Sequence, residues 1–145
     1  MRIAGARTLA DEVRAAGVAG DFVFLGHVAE PSAVLAACDC LIKPTRDANP
    51  WGRDILEAMA QGRPVISYGR DATFVEPGVT GLLMDEFDAT VTARELLRLA
   101  NDRDSLRAQG ANAKQRIRRL CDPAAQAAEL AELWRAAYAT RQGRS

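Results

Sequence analysis

Aromatic residues make up only 6% of this 145-residue sequence, and it holds one histidine and three cysteines. The cysteines, Cys38, Cys40 and Cys121, form no C-x-x-C pair, which excludes a zinc ribbon and a disulfide framework. Cys38 and Cys40 have apolar neighbours and read as small buried side chains, as expected in a reducing compartment. No stretch approaches the roughly 18 apolar residues that cross a bilayer. The opening Met-Arg-Ile-Ala-Gly carries no apolar run, so no signal peptide is expected. The expected location is cytoplasmic, with peripheral membrane association left open to a partner domain. Charge of one sign is also absent: Lys plus Arg and Asp plus Glu are 19 each. No global field then favours nucleic acid. The arginine-rich stretch from Arg98 to Arg119 reads as a solvated helical face.

Hydrophobic residues reach 48%, and the length is near the roughly 150 residues of one domain. Such a chain buries a core without disulfides or a structural metal. Short apolar runs alternate with helical patterns, the mark of βαβ units and a parallel sheet. Strands are predicted at Met1–Ala4, Phe22–Leu25, Cys40–Lys43, Pro64–Tyr68 and Gly81–Met84, with Phe22–Leu25 and Cys40–Lys43 read as buried strands. Helices are predicted at Thr8–Ala16, from Pro31, and at Arg53–Gln61 with Ile55, Leu56, Met59 and Ala60 on one face. From Asp88 the pattern is helical, broken near Arg103 and at Asp122-Pro123, and Glu76-Pro77-Gly78 reads as a turn. The expected fold is α/β, with a helical C-terminal tail.

In an open parallel sheet, ligands sit beyond the carboxyl ends of the strands. The Cys40–Lys43 strand delivers the loop Thr45–Gly52 to that edge, where the next helix starts. A helix N-terminus offers unpaired N–H groups and about half a positive charge, and phosphate suits it. Gly52 permits close backbone approach, and Glu57 on the second turn is placed to accept hydrogen bonds from ribose hydroxyls. The same residues also read as a loop-end glycine and a solvated helix charge. Lys43 reads equally as a diphosphate contact or a snorkelling lysine. The lone His27 carries no assigned role.

The run Pro44-Thr45-Arg46-Asp47-Ala48-Asn49-Pro50-Trp51-Gly52-Arg53-Asp54-Ile55-Leu56-Glu57-Ala58-Met59-Ala60-Gln61-Gly62-Arg63-Pro64-Val65-Ile66 resembles the donor-site signature of GT-B fold glycosyltransferases of family 4. That signature is Pro-Ser, a short loop, Glu, two residues, Gly, four residues, Glu-Ala-Met-Ala, then Gly-x-Pro-Val-Ile. Phe22-Val23-Phe24-Leu25-Gly26-His27-Val28, Ala37-Cys38-Asp39 and Gly78-Val79-Thr80-Gly81-Leu82-Leu83 follow the family's order and spacing.

The resemblance implies one half of a GT-B fold: a Rossmann-like sheet sandwiched by helices over residues 1–121, then a C-terminal helix over 122–145. It implies a nucleotide-diphospho-sugar as substrate, no further cofactor and no metal, and transfer with retention. The distal donor phosphate maps to the amides of Trp51, Gly52 and Arg53, the ribose to Glu57, and the nucleobase to Gly26 and Val28. The family's first Glu, near the transferred sugar, is Asn49 here, which keeps an acceptor and loses the charge. The resemblance further implies that an amino-terminal GT-B domain, outside this chain, supplies acceptor recognition and most catalytic contacts. The isolated chain is then expected to bind nucleotide weakly and to transfer nothing. The alternative is a non-catalytic nucleotide- or protein-binding remnant of such a domain. A dinucleotide-binding or response-regulator domain is disfavoured, because the first strand is followed by only Gly5 and no G-x-G-x-x-G, and by no acidic cluster for a metal. The stripe Leu130, Leu133, Trp134, Ala137 and Tyr138 is expected to be partly exposed and to favour self-association.

Overall fold

The computed structural model describes residues 8–45 and 50–142. The chain packs as two compact units, Met1–Pro31 and Ser32–Ser145. In the first, α1 (Leu9–Ala15) opens on a reciprocal capping box. The Thr8 hydroxyl accepts from Asp11 N at 3.2 Å, and the Asp11 carboxylate accepts from Thr8 N at 3.1 Å. Two amides that a bare helix start leaves unpaired are thereby satisfied.

The predicted buried strand Phe22–Leu25 is not formed. Phe22, Val23, Phe24 and Leu25 are 46%, 82%, 52% and 55% exposed, and the segment joins no sheet among the described residues. Apolar composition supplies burial preference, but a strand also needs a neighbour to pair its amides and carbonyls. The predicted strand Met1–Ala4 lies outside the described residues.

The other elements are α2 (Pro31–Ala37), β1 (Leu41–Ile42), α3 (Arg53–Ala60), β2 (Val65–Tyr68), β3 (Gly81–Met84), α4 (Ala89–Asn101), α5 (Arg103–Leu120) and α6 (Pro123–Gln142). The fold is α/β: a three-stranded sheet in the order β1-β2-β3, both pairings parallel, flanked by helices. Leu41 sits beside Val65, and Ile66 sits between Ile42 and Leu82. β2, in the middle, is buried at every residue, as a continuous apolar strand in a covered parallel sheet should be. β1 was predicted to be buried but leaves Ile42 37% exposed, because it has a strand on one side only among the described residues.

The core joins Ile55, Ala58 and Met59 of α3 to Val65 of β2, Val75, and Ala113 and Ile117 of α5. Burial of Ile55 and of Met59 contributes about 1.5–3 kcal/mol each. α3 ends in a Schellman motif: Gly62 N donates to Met59 O and Arg63 N to Ala58 O, both at 2.9 Å. That stop turns the chain into β2. Asp88 caps α4 through Thr90 N and Val91 N, and Asp102 caps α5 through Ser105 N. Asp122 accepts from Ala124 N and Ala125 N at the start of α6, so the predicted breaks near Arg103 and at Asp122-Pro123 fall where these aspartates cap new helices.

Much of the arginine-rich stretch is engaged within the molecule. Arg98 pairs with Glu95, Arg103 with Asp39, Arg107 with Asp104 and Arg116 with Glu76. All three cysteines are free thiols. Cys38, predicted buried, is exposed because it lies in the surface connection after α2. Cys40 is half-buried, and burial pushes its thiol above the ordinary value. Among the described residues no helix is long and apolar enough to cross a membrane.

Candidate functional site

The chain leaves β1 through Lys43, Pro44 and Thr45, and returns at Pro50 to start α3. Gly52 is the N-cap residue, with φ +148° and ψ 155°, and no side chain caps the helix. An L side chain rarely adopts this φ. A Cβ at Gly52 would also meet the Lys43 ammonium and the Asp54 carboxylate. The first helical bonds are Ile55 N and Leu56 N to Gly52 O, at 3.1 and 3.3 Å. The amides of Arg53 and Asp54 therefore precede the helical ladder, in the first turn that carries the positive end of the dipole.

Lys43 has a half-buried position under this turn. Its ammonium donates to Trp51 O and lies 3.0 Å from Asp54 Oδ1, with only 14% of its side chain exposed. It is neither a solvent-facing lysine nor a ready phosphate ligand; it ties the strand end to the helix start. Arg53 Nε stands 3.2 Å from Glu57 Oε1, one turn up the same helix, with the Arg53 side chain 90% exposed. The four side chains Lys43, Arg53, Asp54 and Glu57 sum to no net charge. What remains to attract an anion is the oriented backbone of the first turn, about half a unit charge.

Trp51 sets its ring edge-on to Phe74, centroids 4.9 Å apart. Pro50 is buried against Gly69, where φ is +138° and a Cβ would approach Pro50 Cδ to 2.5 Å. Pro50 and Trp51 thus form one wall of a cavity of about 720 Å³, completed by Thr45, Tyr68, Arg70, Asp71, Asp85, Glu86 and Phe87. These residues follow the ends of β1, β2 and β3, the edge at which parallel sheets hold ligands.

The predicted residues Trp51, Gly52, Arg53 and Glu57 are brought together at the start of α3. Asn49 lies outside the described residues. Gly26, with φ +66°, and the half-buried Val28 belong to the Met1–Pro31 unit. Sequence reasoning missed the residues after β2 and β3, although the rule that ligands gather beyond strand ends pointed at them. Among the described residues, no group of three or more His, Cys, Asp or Glu side chains is placed to hold a metal ion.

The family model for glycosyl transferases group 1 matches residues 1–102. The chain belongs to that family. No curated protein matches the chain by sequence. Solved structures do. Anabaena Alr3699/HepE in complex with UDP superposes with a TM-score of 0.82 at 26% identity, over 88% of this chain and 36% of that one. Sucrose-phosphate synthase (tll1590) from Thermosynechococcus elongatus gives 0.78 at 29% identity, over 89% of this chain and 33% of that one. HepE with UDP-glucose gives 0.71 at 27% identity, over 77% and 31%. The chain therefore spans about a third of the length of these glycosyltransferase-fold structures.

Proposed function

We propose that this chain is the donor-binding half of a retaining, family 4 glycosyltransferase that holds a nucleotide-diphospho-sugar. One observation carries the reading: an uncapped helix start at Gly52, beyond the carboxyl end of a parallel strand, with Glu57 one turn above it. The distal phosphate rests on the amides of Trp51, Gly52 and Arg53. Glu57 accepts hydrogen bonds from the ribose, Gly26 and Val28 line the base, and Asn49 faces the transferred sugar. Fixed backbone dipoles stabilise the leaving diphosphate, so no metal or other cofactor is required. UDP in HepE makes UDP the first nucleotide to test.

In this reading residues 1–121 form the nucleotide-sugar-binding domain, and residues 122–145 the terminal helix. The catalytic partner is an amino-terminal GT-B domain that these 145 residues do not contain. That the chain spans a third of the matched structures supports this. The exposed Leu130, Leu133, Trp134 and Tyr138 of α6 offer an apolar surface for such a domain or for a second copy. The chain alone then transfers no sugar; glycosyl transfer measured with the purified chain contradicts the proposal. Asn49, where the family has an acid, supports a second reading: a remnant that binds nucleotide or protein without chemistry. Mixing the chain with an amino-terminal GT-B domain separates the two, since only the first recovers transfer.

A further inference from the structure

The cavity beyond the strand ends differs in character from the start of α3. Among the described residues it presents aromatic surface from Trp51 and Phe87 together with Asp71, Asp85, Glu86 and a single cation, Arg70. Tyr68 and Phe87 pack against each other with centroids 5.1 Å apart, and Tyr68 Oη shares a 2.6 Å hydrogen bond with Thr92 Oγ1. That wall is fixed from behind by α4. Arg70 Nε lies 3.4 Å from Asp85 Oδ2, so this cation is paired. Asp71 and Glu86 are left as the uncompensated charges of the lining among the described residues. Hydrogen bonds from Thr73 hold the Asp71 carboxyl below the ordinary aspartate value, so it stays ionised at neutral pH. The Thr45 hydroxyl, on the same lining, is buried and has no hydrogen-bond partner among the described residues.

Aromatic surface for C–H faces and carboxylates for hydroxyls together suit a polyhydroxylated ring. The volume falls within the roughly 300–1,000 Å³ of small-molecule sites. We propose that this cavity is a sugar subsite in which Asp71 and Glu86 select uncharged sugars and reject those bearing a carboxylate or phosphate. The inference rests on the proposed nucleotide seat at Gly52. It adds a determinant outside the signature segment, on the loops after β2 and β3. Two exposed carboxylates facing a sugar anion at a few ångströms disfavour it about tenfold at low ionic strength.

The test titrates the 145-residue chain calorimetrically with UDP, UDP-glucose and UDP-glucuronate, in about 20 mM and about 500 mM salt, where screening contracts. UDP-glucuronate is expected to bind about tenfold more weakly than UDP-glucose at low salt, with the ratio shrinking toward one at high salt. In the D71N/E86Q variant the low-salt ratio is expected to fall below threefold. Equal affinities for the two sugars in the unmodified chain overturn the inference, as does a ratio that survives both salt and substitution. UDP carries no sugar and reports the nucleotide seat separately. Its failure to bind overturns the nucleotide reading and this inference with it, whereas UDP binding without sugar discrimination overturns the inference alone.

Discussion

Arg116 of α5 reaches Glu76 at 2.6 Å, and the same guanidinium donates to Thr73 O at 3.0 Å and Ala72 O at 2.9 Å. One side chain thereby pins the loop after β2, which carries Asp71 of the cavity and Phe74, the edge-on partner of Trp51. The planar fork of arginine makes three directed bonds that lysine cannot.

Replacing Arg116 by Met is expected to cost about 2 kcal/mol, because two carbonyls and a carboxylate lose charged donors. For a chain of this size that lowers Tm by roughly 4–8 °C. Arg116→Lys should recover less than half of the loss. Thermal unfolding followed by circular dichroism checks this, and a Tm within about 1 °C of the parent would show the clamp to be inert.

Gly52→Ala should be harmful twice over. The backbone at φ +148° strains a residue with a Cβ by about 1–3 kcal/mol, and that Cβ meets the Lys43 ammonium and the Asp54 carboxylate. The expected outcome is a moderate fall in Tm with UDP binding reduced by more than tenfold. An unchanged UDP affinity in a folded Gly52→Ala chain would argue that the phosphate sits elsewhere.

Legibility in the sequence followed the locality of the cause. α3, its Gly62 stop, β2 and β3 were readable because period, cap and apolar run lie within a few residues of one another. The places of Gly52 at the start of α3 and Glu57 within it were readable because the signature segment is contiguous. The Phe22–Leu25 segment misled because composition reports an apolar run and says nothing of a hydrogen-bonding neighbour. Lys43 stayed ambiguous until its partners Trp51 and Asp54 were known, and Arg116 is separated from Glu76 by 40 positions. Asp85 and Glu86 look like ordinary polar loop residues until β2 and β3 bring their ends together.

Asp39 and Arg103 meet at 2.6 Å, and the hydrogen bond from Arg103 holds the Asp39 carboxyl below the ordinary aspartate value. A depressed folded value gives stability that is present above the unfolded value, about 4, and lost as pH falls through the folded one. Both side chains are solvent-exposed, so the contribution is at most about 1 kcal/mol. Asp39→Asn should therefore be less stable than the parent at pH 7, with the gap closing as pH falls below about 4. Denaturant melts across that range check the sign; a gap that widens on acidification contradicts it.

Thiol chemistry separates the cysteines. Exposed Cys38 and Cys121 should be alkylated by iodoacetamide at pH 8 well before Cys40, whose thiol burial pushes up. Mass spectrometry of the time course reads the order directly, and early labelling of Cys40 would place it at the surface.

Glu57 stands above the Gly52 turn with Arg53 against it at 3.2 Å, and the central claim is that this carboxylate accepts hydrogen bonds from a ribose. Calorimetric titration with UDP, GDP and ADP, comparing the parent chain with Glu57→Ala, tests it most directly. The account predicts that at least one nucleotide binds the parent and that Glu57→Ala weakens it by about tenfold or more, the worth of a hydrogen bond to a charged group. Equal binding by the two forms, or no binding of any of the three by the parent, would contradict it.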